Sequence, residues 1–193
     1  MMIPAHALAG IACIHLGLLA SRGNKHWLWI GLVFAFISHA IIDSLAIFTY
    51  HDGSPSGTPF SQFVFWFWIA TAISVIYWAL QNDKRYGYGI LTALSYDLWD
   101  HWILRTISCS RDGFPDGCMS LYAYEHLHLH QLEWIILDSV FVGVERHYGD
   151  ERYFIVELIF ASLLCYSIGW LRKRAPLPSG DEEECRTPVR LGQ

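Results

Sequence analysis

The chain has 193 residues and a net charge of −5; 53% of its residues are hydrophobic and only 16% are charged. The apolar residues come in long runs separated by short polar joints, a pattern that argues against a water-soluble domain. Basic residues occur in small clusters at the ends of these runs, so we expect no nucleic-acid partner.

Five apolar runs are long enough to cross a bilayer, since a membrane-spanning helix needs about 18 to 20 residues. They are residues 4–20, 27–48, 60–81, 88–107 and 153–171. The first run lacks the basic leading region of a signal peptide, so we expect it to be the first span. Helices satisfy their own backbone hydrogen bonds in lipid. We therefore predict an all-α, polytopic integral membrane bundle in a single domain, residues 1–174, followed by a polar and disordered tail, residues 175–193.

A further segment, residues 121–144, leaves the number of spans open. Its apolar core is short, and it carries three histidines and three acidic residues. Either it crosses the membrane, or it dips into the membrane or lies along its surface. We expect about six helices, of which five or six span.

Basic joints indicate the orientation of the bundle. Joints 21–26 and 82–85 carry Lys and Arg, whereas joint 50–59 carries neither. Because short basic loops favour the cytoplasmic side, we expect the N-terminus outside and the C-terminal tail inside. In the outer loop, Cys109 and Cys118 form a disulfide if the compartment is oxidising, or remain two free thiols.

Ionisable side chains occur inside two of the predicted spans. His39 and Asp43 are four residues apart, as are Asp97 and His101, so each pair lies on one helix face. Asp100 lies on the face adjoining that of Asp97. A charged side chain at mid-membrane costs about 2.5–3.5 kcal/mol, so such residues usually face the bundle interior and have a function.

The predicted orientation places these side chains in the outer halves of their spans. His6 begins the first span at the same level, and residues 125–130 return to that level after the outer loop. His126 and His130 are one turn apart if this segment is helical, with Glu133 nearly on the same face. We therefore expect four segments to contribute to one layer near the extracytoplasmic face.

Imidazole and carboxylate groups are the ligands of Zn²⁺ and of carboxylate-bridged iron or manganese centres. We predict a site for one or two divalent ions, with zinc first and iron or manganese as alternatives. The predicted metal ligands are His6, His39, Asp43, Asp97, His101, His126 and His130. Asp100 and Glu133 are the predicted catalytic residues, because a carboxylate beside a metal site can act as general base.

Three stretches carry a resemblance to a known family: "PAHALAGIA" near the N-terminus, "ISHAIIDSL" (37–45) and "GILTALSYDLWDH" (89–101). They resemble motifs of the predicted membrane-bound metal-dependent hydrolases, small inner-membrane proteins of bacteria and archaea. The resemblance implies that this chain lies in such a membrane. It also implies metal binding by His6, His39, Asp43, Asp97, Asp100 and His101. Here Tyr96 stands where the family usually has proline, and the two aspartates of the last stretch are one residue further apart than usual.

The predicted function is that of an integral membrane metal-dependent hydrolase acting on a lipid-like ester or phosphoester, because a site at that depth meets lipid head groups. The alternatives are a di-iron or haem redox enzyme, and an ion or proton transporter that uses the same groups as a relay. Because these groups lie toward one face of the membrane and are not spread along a path across it, a binding site is favoured over a transport pathway. His15, deeper in the first span, is interpreted as a hydrogen-bonded packing residue. The expected partners are the lipid bilayer and an amphiphilic substrate, and the oligomeric state is open.

Overall fold

A computed structural model describes residues 3–22, 24–45, 58–104 and 153–178, and the single residues 129, 135, 139 and 140. Within these residues the chain is helical and contains no β-strand, which confirms the predicted all-α class for this part of the chain. The helices are α1 (Ile3–Ala20), α2 (Trp27–Ser44), α3 (Pro59–Asn82), α4 (Lys84–Ala93), α5 (Ser95–Asp97), a π-helix (Leu98–Leu104) and α6 (Phe154–Arg174).

Four helices, α1, α2, α3 and α6, are long and apolar enough to cross a membrane. Their outer faces expose large apolar side chains: Trp29, Trp66, Tyr77 and Tyr166 are 69%, 63%, 66% and 74% exposed. Water-soluble proteins rarely have so many large apolar side chains exposed on their helices. The helices are therefore those of a membrane protein, while the total of five or six spans stays a prediction.

Helix α1 lies at the centre of the bundle. In its apolar window 72% of the residues are buried, against 17% in α6. It contacts α2, α3, α4 and α6. Leu8, Ile11 and Ile14 of α1 form the middle of the largest core cluster. A side chain on α1 is therefore placed among those of several other helices.

Glycines allow α1 to approach two neighbouring helices closely. A Cβ atom on Gly10 of α1 would lie 2.5 Å from the backbone oxygen of Gly89 on α4. One on Gly17 would lie 2.4 Å from the backbone nitrogen of Gly31 on α2. Small residues at helix crossings are the usual means of close packing in membranes. The crossing of α1 and α4 sets the distance between His6 and the residues that follow α4.

The fourth predicted span, residues 88–107, is not one regular helix. Helix α4 begins earlier, at Lys84, because the Asp83 side chain caps it by accepting a hydrogen bond from the Arg85 N–H at 2.8 Å. It ends at Ala93, and a turn at Leu94 leads into α5 and the π-helix. The chain therefore changes its helical pitch within the stretch that carries the acidic residues.

The bundle has two chemically different ends. The end that holds His6, His39 and Asp43, here called the site end, is also where α3 and α6 begin, with Phe60 against Phe154. The opposite end, here called the basic end, holds the two predicted basic joints and the last turn of α6. Its basic residues are Arg22, Lys25, Lys84, Arg85, Arg172, Lys173 and Arg174.

Residues 175–178, predicted to begin the tail, pack against the basic end. Ala175 is buried, and Leu177 contacts the core cluster. Arg85 donates a hydrogen bond to the carbonyl oxygen of Pro178 at 2.9 Å. The packed part of the chain thus extends past α6, and the rest of the predicted tail lies outside the described residues.

Candidate metal centre

Three side chains from α1 and α2 meet at the site end. His6 lies in the first turn of α1, and His39 and Asp43 lie one turn apart near the end of α2. All three are buried, with exposed fractions of 1%, 0% and 6%. His39 and Asp43 share a helix face, as their spacing predicts.

The carboxylate of Asp43 contacts both imidazoles, one with each oxygen. His6 Nε2 lies 2.9 Å from Asp43 Oδ1, and His39 Nε2 lies 2.9 Å from Asp43 Oδ2. A ligand atom from each of the three residues lies within 4.8 Å of the others. The Nε2 atoms of two histidines and one carboxylate thus face a single small volume.

Aromatic stacking fixes the planes of the two imidazoles. The rings of His6 and His39 are stacked, with centroids 4.2 Å apart and planes 20° apart. Tyr96 stacks on His39 with centroids 4.5 Å apart, and Phe36 packs against Tyr96. His39 is therefore held between two rings and keeps one orientation toward Asp43.

The hydrogen bond at the other nitrogen of His39 determines its tautomer. His39 Nδ1 lies 2.6 Å from the carbonyl oxygen of Ala93, at the end of α4. A carbonyl oxygen only accepts, so the proton is on Nδ1. In the neutral ring, Nε2 then presents a lone pair to the Asp43 carboxylate. Nε2 and the carboxylate oxygen are both acceptors, and at a distance of 2.9 Å they require a proton or a cation between them. Metal-ligating histidines are oriented in this way by a carbonyl or carboxylate at the distal nitrogen.

His6 adds a second sign of a cation site. Although its Nε2 atom is 2.9 Å from Asp43, the pair lacks the direction of a hydrogen bond. Its Nδ1 atom is buried and has no hydrogen-bond partner within the described ranges. A buried polar group without a hydrogen bond is costly. This arrangement is expected if His6 and Asp43 bind the same ion. Each side chain then directs a lone pair at the ion, and the two do not form a hydrogen bond with each other.

The acidic residues after α4 take different positions. Asp97 Oδ1 lies 4.0 Å from His39 Nε2, and the Asp97 side chain is 31% exposed. Asp97 therefore borders both the cluster and the surface. Asp100 is buried in the π-helix and accepts a hydrogen bond from the Leu129 backbone N–H at 3.0 Å. Helices of this pitch are rare and often occur at functional sites.

Several predicted site residues lie outside the described part of the chain. The backbone of His101 is in the π-helix, but its side chain is not described. His126, His130 and Glu133 lie outside the described residues, as do Cys109 and Cys118. The predicted contributions of these residues stay predictions.

Two contributors to the cluster were not predicted from the sequence. Tyr96 stacks on His39, and its only sequence signal is its position beside Asp97 in an apolar run. The carbonyl of Ala93 has no signal at all, since any residue has that group. A C=O in the last turn of a helix lacks a partner within its helix, which leaves it available to His39.

His15 has a different environment at the opposite end of α1. Its Nδ1 atom lies 2.8 Å from the carbonyl oxygen of Ala175, and its Nε2 atom lies 2.8 Å from the Tyr86 hydroxyl. Both nitrogens of this buried ring are occupied by hydrogen bonds. This environment is that of a packing residue that ties α1 to α4 and to the end of α6.

The three-residue cluster fits a divalent metal ion by its donors. Two imidazole nitrogens and a carboxylate oxygen are a ligand set of catalytic zinc sites, which keep one position open. Asp97 is close enough to contribute a further oxygen. Comparison with family models, with curated proteins and with solved structures finds no match to this chain. The function is therefore inferred from the chemistry of the site.

Proposed function

We propose that the chain is an integral membrane metal-dependent hydrolase, with a divalent ion held by His6, His39 and Asp43. The observation that supports this most directly is the contact of Asp43 with both imidazoles, with the His39 proton fixed on the far side of the ring. The resemblance of the three sequence stretches to predicted membrane-bound metal-dependent hydrolases supports the same assignment. Zinc is the proposed ion, because it takes this mixture of nitrogen and oxygen ligands.

The proposal also assigns a role to each of the surrounding residues. When bound, the ion would supply Lewis acidity that activates water and polarises an ester or phosphoryl oxygen. Tyr96 and Ala93 hold the His39 ring in place. Asp97, at the surface edge of the cluster, would offer a further oxygen ligand to the ion. Asp100 accepts the proton from water as general base, and its carboxylate is oriented by the Leu129 N–H.

A lipid-like ester or phosphoester is the proposed substrate. The cluster lies near one end of helices that are long enough to span a membrane, where the head groups of lipids are found. The basic end is proposed to face the cytoplasm, following the preference of basic residues for that side, so that the site end faces outward. The proposed location is a bacterial or archaeal inner membrane.

The metal content of the purified protein tests the proposal. Wild type, Asp43→Asn and His26→Asn are purified in detergent, loaded with zinc, desalted and analysed for metal, together with an absorption spectrum. His26 is the control because it is an exposed histidine outside the cluster. We expect about one zinc per chain in wild type and His26→Asn, and its loss in Asp43→Asn without a change in the yield of folded protein.

Hydrolysis is measured on the same three proteins. We expect wild type and His26→Asn to hydrolyse a phospholipid or a fatty-acid ester, and to lose this activity reversibly with a chelator. Zinc that stays bound in Asp43→Asn would overturn the metal site. Tightly bound iron with visible absorption in the cluster would overturn the hydrolase in favour of the redox alternative.

A further inference from the structure

A groove lies between α1, α3 and α6. Its volume is about 530 Å³, within the range of about 300–1,000 Å³ that is typical of ligand sites. None of its lining residues belongs to the cluster. Those that the proposal uses are Thr71, Ser74 and Trp78 of α3, and Gly169 and Arg172 of α6.

The walls of the groove are mainly apolar, because the two hydroxyl groups among the lining residues form hydrogen bonds within α3. Thr71 donates its hydroxyl hydrogen to the Phe67 carbonyl oxygen, and Ser74 donates to that of Ala70, each at 2.8 Å. These bonds within α3 leave hydrocarbon facing the groove. At Gly169 an added Cβ atom would meet no atom within 4 Å, so the α6 side of the groove is open at this level.

The groove reaches the basic end at Arg172. The Arg172 guanidinium lies over the Trp78 ring, with its Cζ atom 5.2 Å from the ring centroid, and donates a hydrogen bond to Asn82 Oδ1 at 3.3 Å. Within the described ranges this is the one hydrogen bond from its side chain, although a guanidinium carries five N–H donors. Lys173 and Arg174 follow directly and are exposed. The groove is therefore apolar along its length and has cationic side chains at one end.

We propose that this groove binds an anionic phospholipid, with an acyl chain along α3 and α6 and the phosphate on Arg172. Charge complementarity selects this occupant, because Arg binds phosphate through directed, charge-assisted hydrogen bonds. Basic pockets beside membrane helices are recognised sites for anionic head groups. The proposal places the phosphate at the end of the bundle opposite the metal cluster and does not depend on catalysis.

A larger side chain at Gly169 can fill the groove without disturbing its surroundings, because its Cβ atom would meet no other atom within 4 Å. Native mass spectrometry follows detergent-purified full-length protein titrated with phosphatidylglycerol or phosphatidylcholine. We expect wild type to bind one phosphatidylglycerol at concentrations about tenfold lower than phosphatidylcholine. Both lipids carry a phosphate, but the basic end attracts the net negative head group of the first and repels the choline cation of the second. Gly169→Phe fills the open space and should abolish this first adduct. Arg172→Gln should bind both lipids equally.

Two matched variants control for added bulk and for lost charge. Leu163→Phe adds an aromatic ring to α6 at a side chain that is 58% exposed and does not line the groove. Arg174→Gln removes a neighbouring charge that lies over Trp170 instead. Both should bind phosphatidylglycerol as wild type does.

Three results would overturn the proposal. The first is a phosphatidylglycerol adduct that survives Gly169→Phe. The second is a lipid preference unchanged in Arg172→Gln. The third is a wild-type protein with no preferred adduct, which would mean that another part of the chain or a second copy covers the groove. The zinc content of Gly169→Phe should equal that of wild type, so failure here is distinct from failure of the metal site.

Discussion

Asp43 and Asp97 differ in their distance from the imidazoles, and this difference ranks their effects on metal binding. Asp43 lies 2.9 Å from both His6 and His39, whereas Asp97 lies 4.0 Å from His39 and is partly exposed. We expect Asp43→Asn to lower zinc affinity by more than about 100-fold, and Asp97→Asn, which removes a carboxylate further from the imidazoles, to lower it by less. Competition with a fluorescent chelator measures both affinities. Equal losses would contradict the ranking.

His15 is expected to matter for stability and not for metal binding. His15→Ala leaves the Ala175 carbonyl and the Tyr86 hydroxyl buried without their hydrogen bonds. Each such group costs about 1–3 kcal/mol, so the free energy of unfolding should fall by a few kcal/mol. Tyr86→Phe, which removes only the hydroxyl, should cost less. Thermal unfolding in detergent measures this, and a loss of zinc from folded His15→Ala would show that the histidine has another role.

For individual residues, the sequence predicts which side chains share a face of one helix, but it does not predict which side chains of different helices are in contact. The pair His39 and Asp43 follows from residues four apart on a helix. The bonds of His39 to Ala93 and of His15 to Tyr86 depend on how α1, α2 and α4 cross. A sequence pattern carries no information on crossing distances of this kind.

The crossing of α1 and α4 depends on two glycines in direct backbone contact. In Gly10→Ala the new Cβ atom would lie 2.5 Å from the Gly89 carbonyl oxygen, so the helices must move apart. We expect a loss of about 1–3 kcal/mol in the free energy of unfolding, as for other overpacked sites. Because α4 carries Ala93, the zinc affinity should fall as well.

Gly87→Ala, on α4 two residues before Gly89, is the control for Gly10→Ala. Its Cβ atom would meet only the flexible Leu80 side chain, at 3.0 Å. Its stability should stay within about 1 kcal/mol of wild type, because alanine also favours the helix. Equal behaviour of the two variants in thermal unfolding and zinc titration would contradict the role given to the crossing.

The joint between α3 and α4 makes stability depend on pH. Burial raises the pKa of the Asp83 carboxyl, but the hydrogen bonds and positive charge of Arg85 outweigh burial, so this pKa lies below its ordinary value of 3.8. The folded state binds the proton less readily than the unfolded state, so this stabilisation is present above about pH 4 and is lost as the pH falls through the lowered pKa.

Asp83→Asn tests this pH dependence. The variant should be less stable than wild type at pH 7 by about 1 kcal/mol, because the Arg85 ion pair is partly exposed. The difference should shrink as the pH falls below about 4. Thermal unfolding between pH 3 and pH 7 measures it. A constant difference over this range would contradict the assignment.

The helices predicted from long apolar runs agree with α1, α2, α3 and α6 to within a few residues, because length and hydropathy determine them. The run 88–107 was predicted as one helix, and the structure divides it. The apolar composition of the run gives no indication of the turn at Leu94 or of the change of helical pitch at Leu98. Asp83 determines only where α4 begins, at the other end of this helix.

The described helices constrain the path of the chain between Leu104 and Tyr153. The π-helix follows Asp97 at the site end, and α6 begins at the same end, where Phe154 packs against Phe60. The joining residues, which include the predicted segment 121–144, lie outside the described residues. We expect reporter fusions or cysteine labels placed after Leu104 and before Tyr153 to report the same side of the membrane. Opposite sides would contradict this arrangement.

The π-helix determines where the chain can tolerate a change in length. Each N–H of such a helix bonds to the carbonyl five residues earlier, one residue further than in an α-helix. A one-residue deletion between Asp97 and Asp100 can therefore be absorbed by a return to α-helical pitch. The same deletion in α1 after His6 would rotate this histidine by about 100° relative to the rest of the helix, away from Asp43. Insertions and deletions among related chains are therefore expected in residues 98–104 and not in α1.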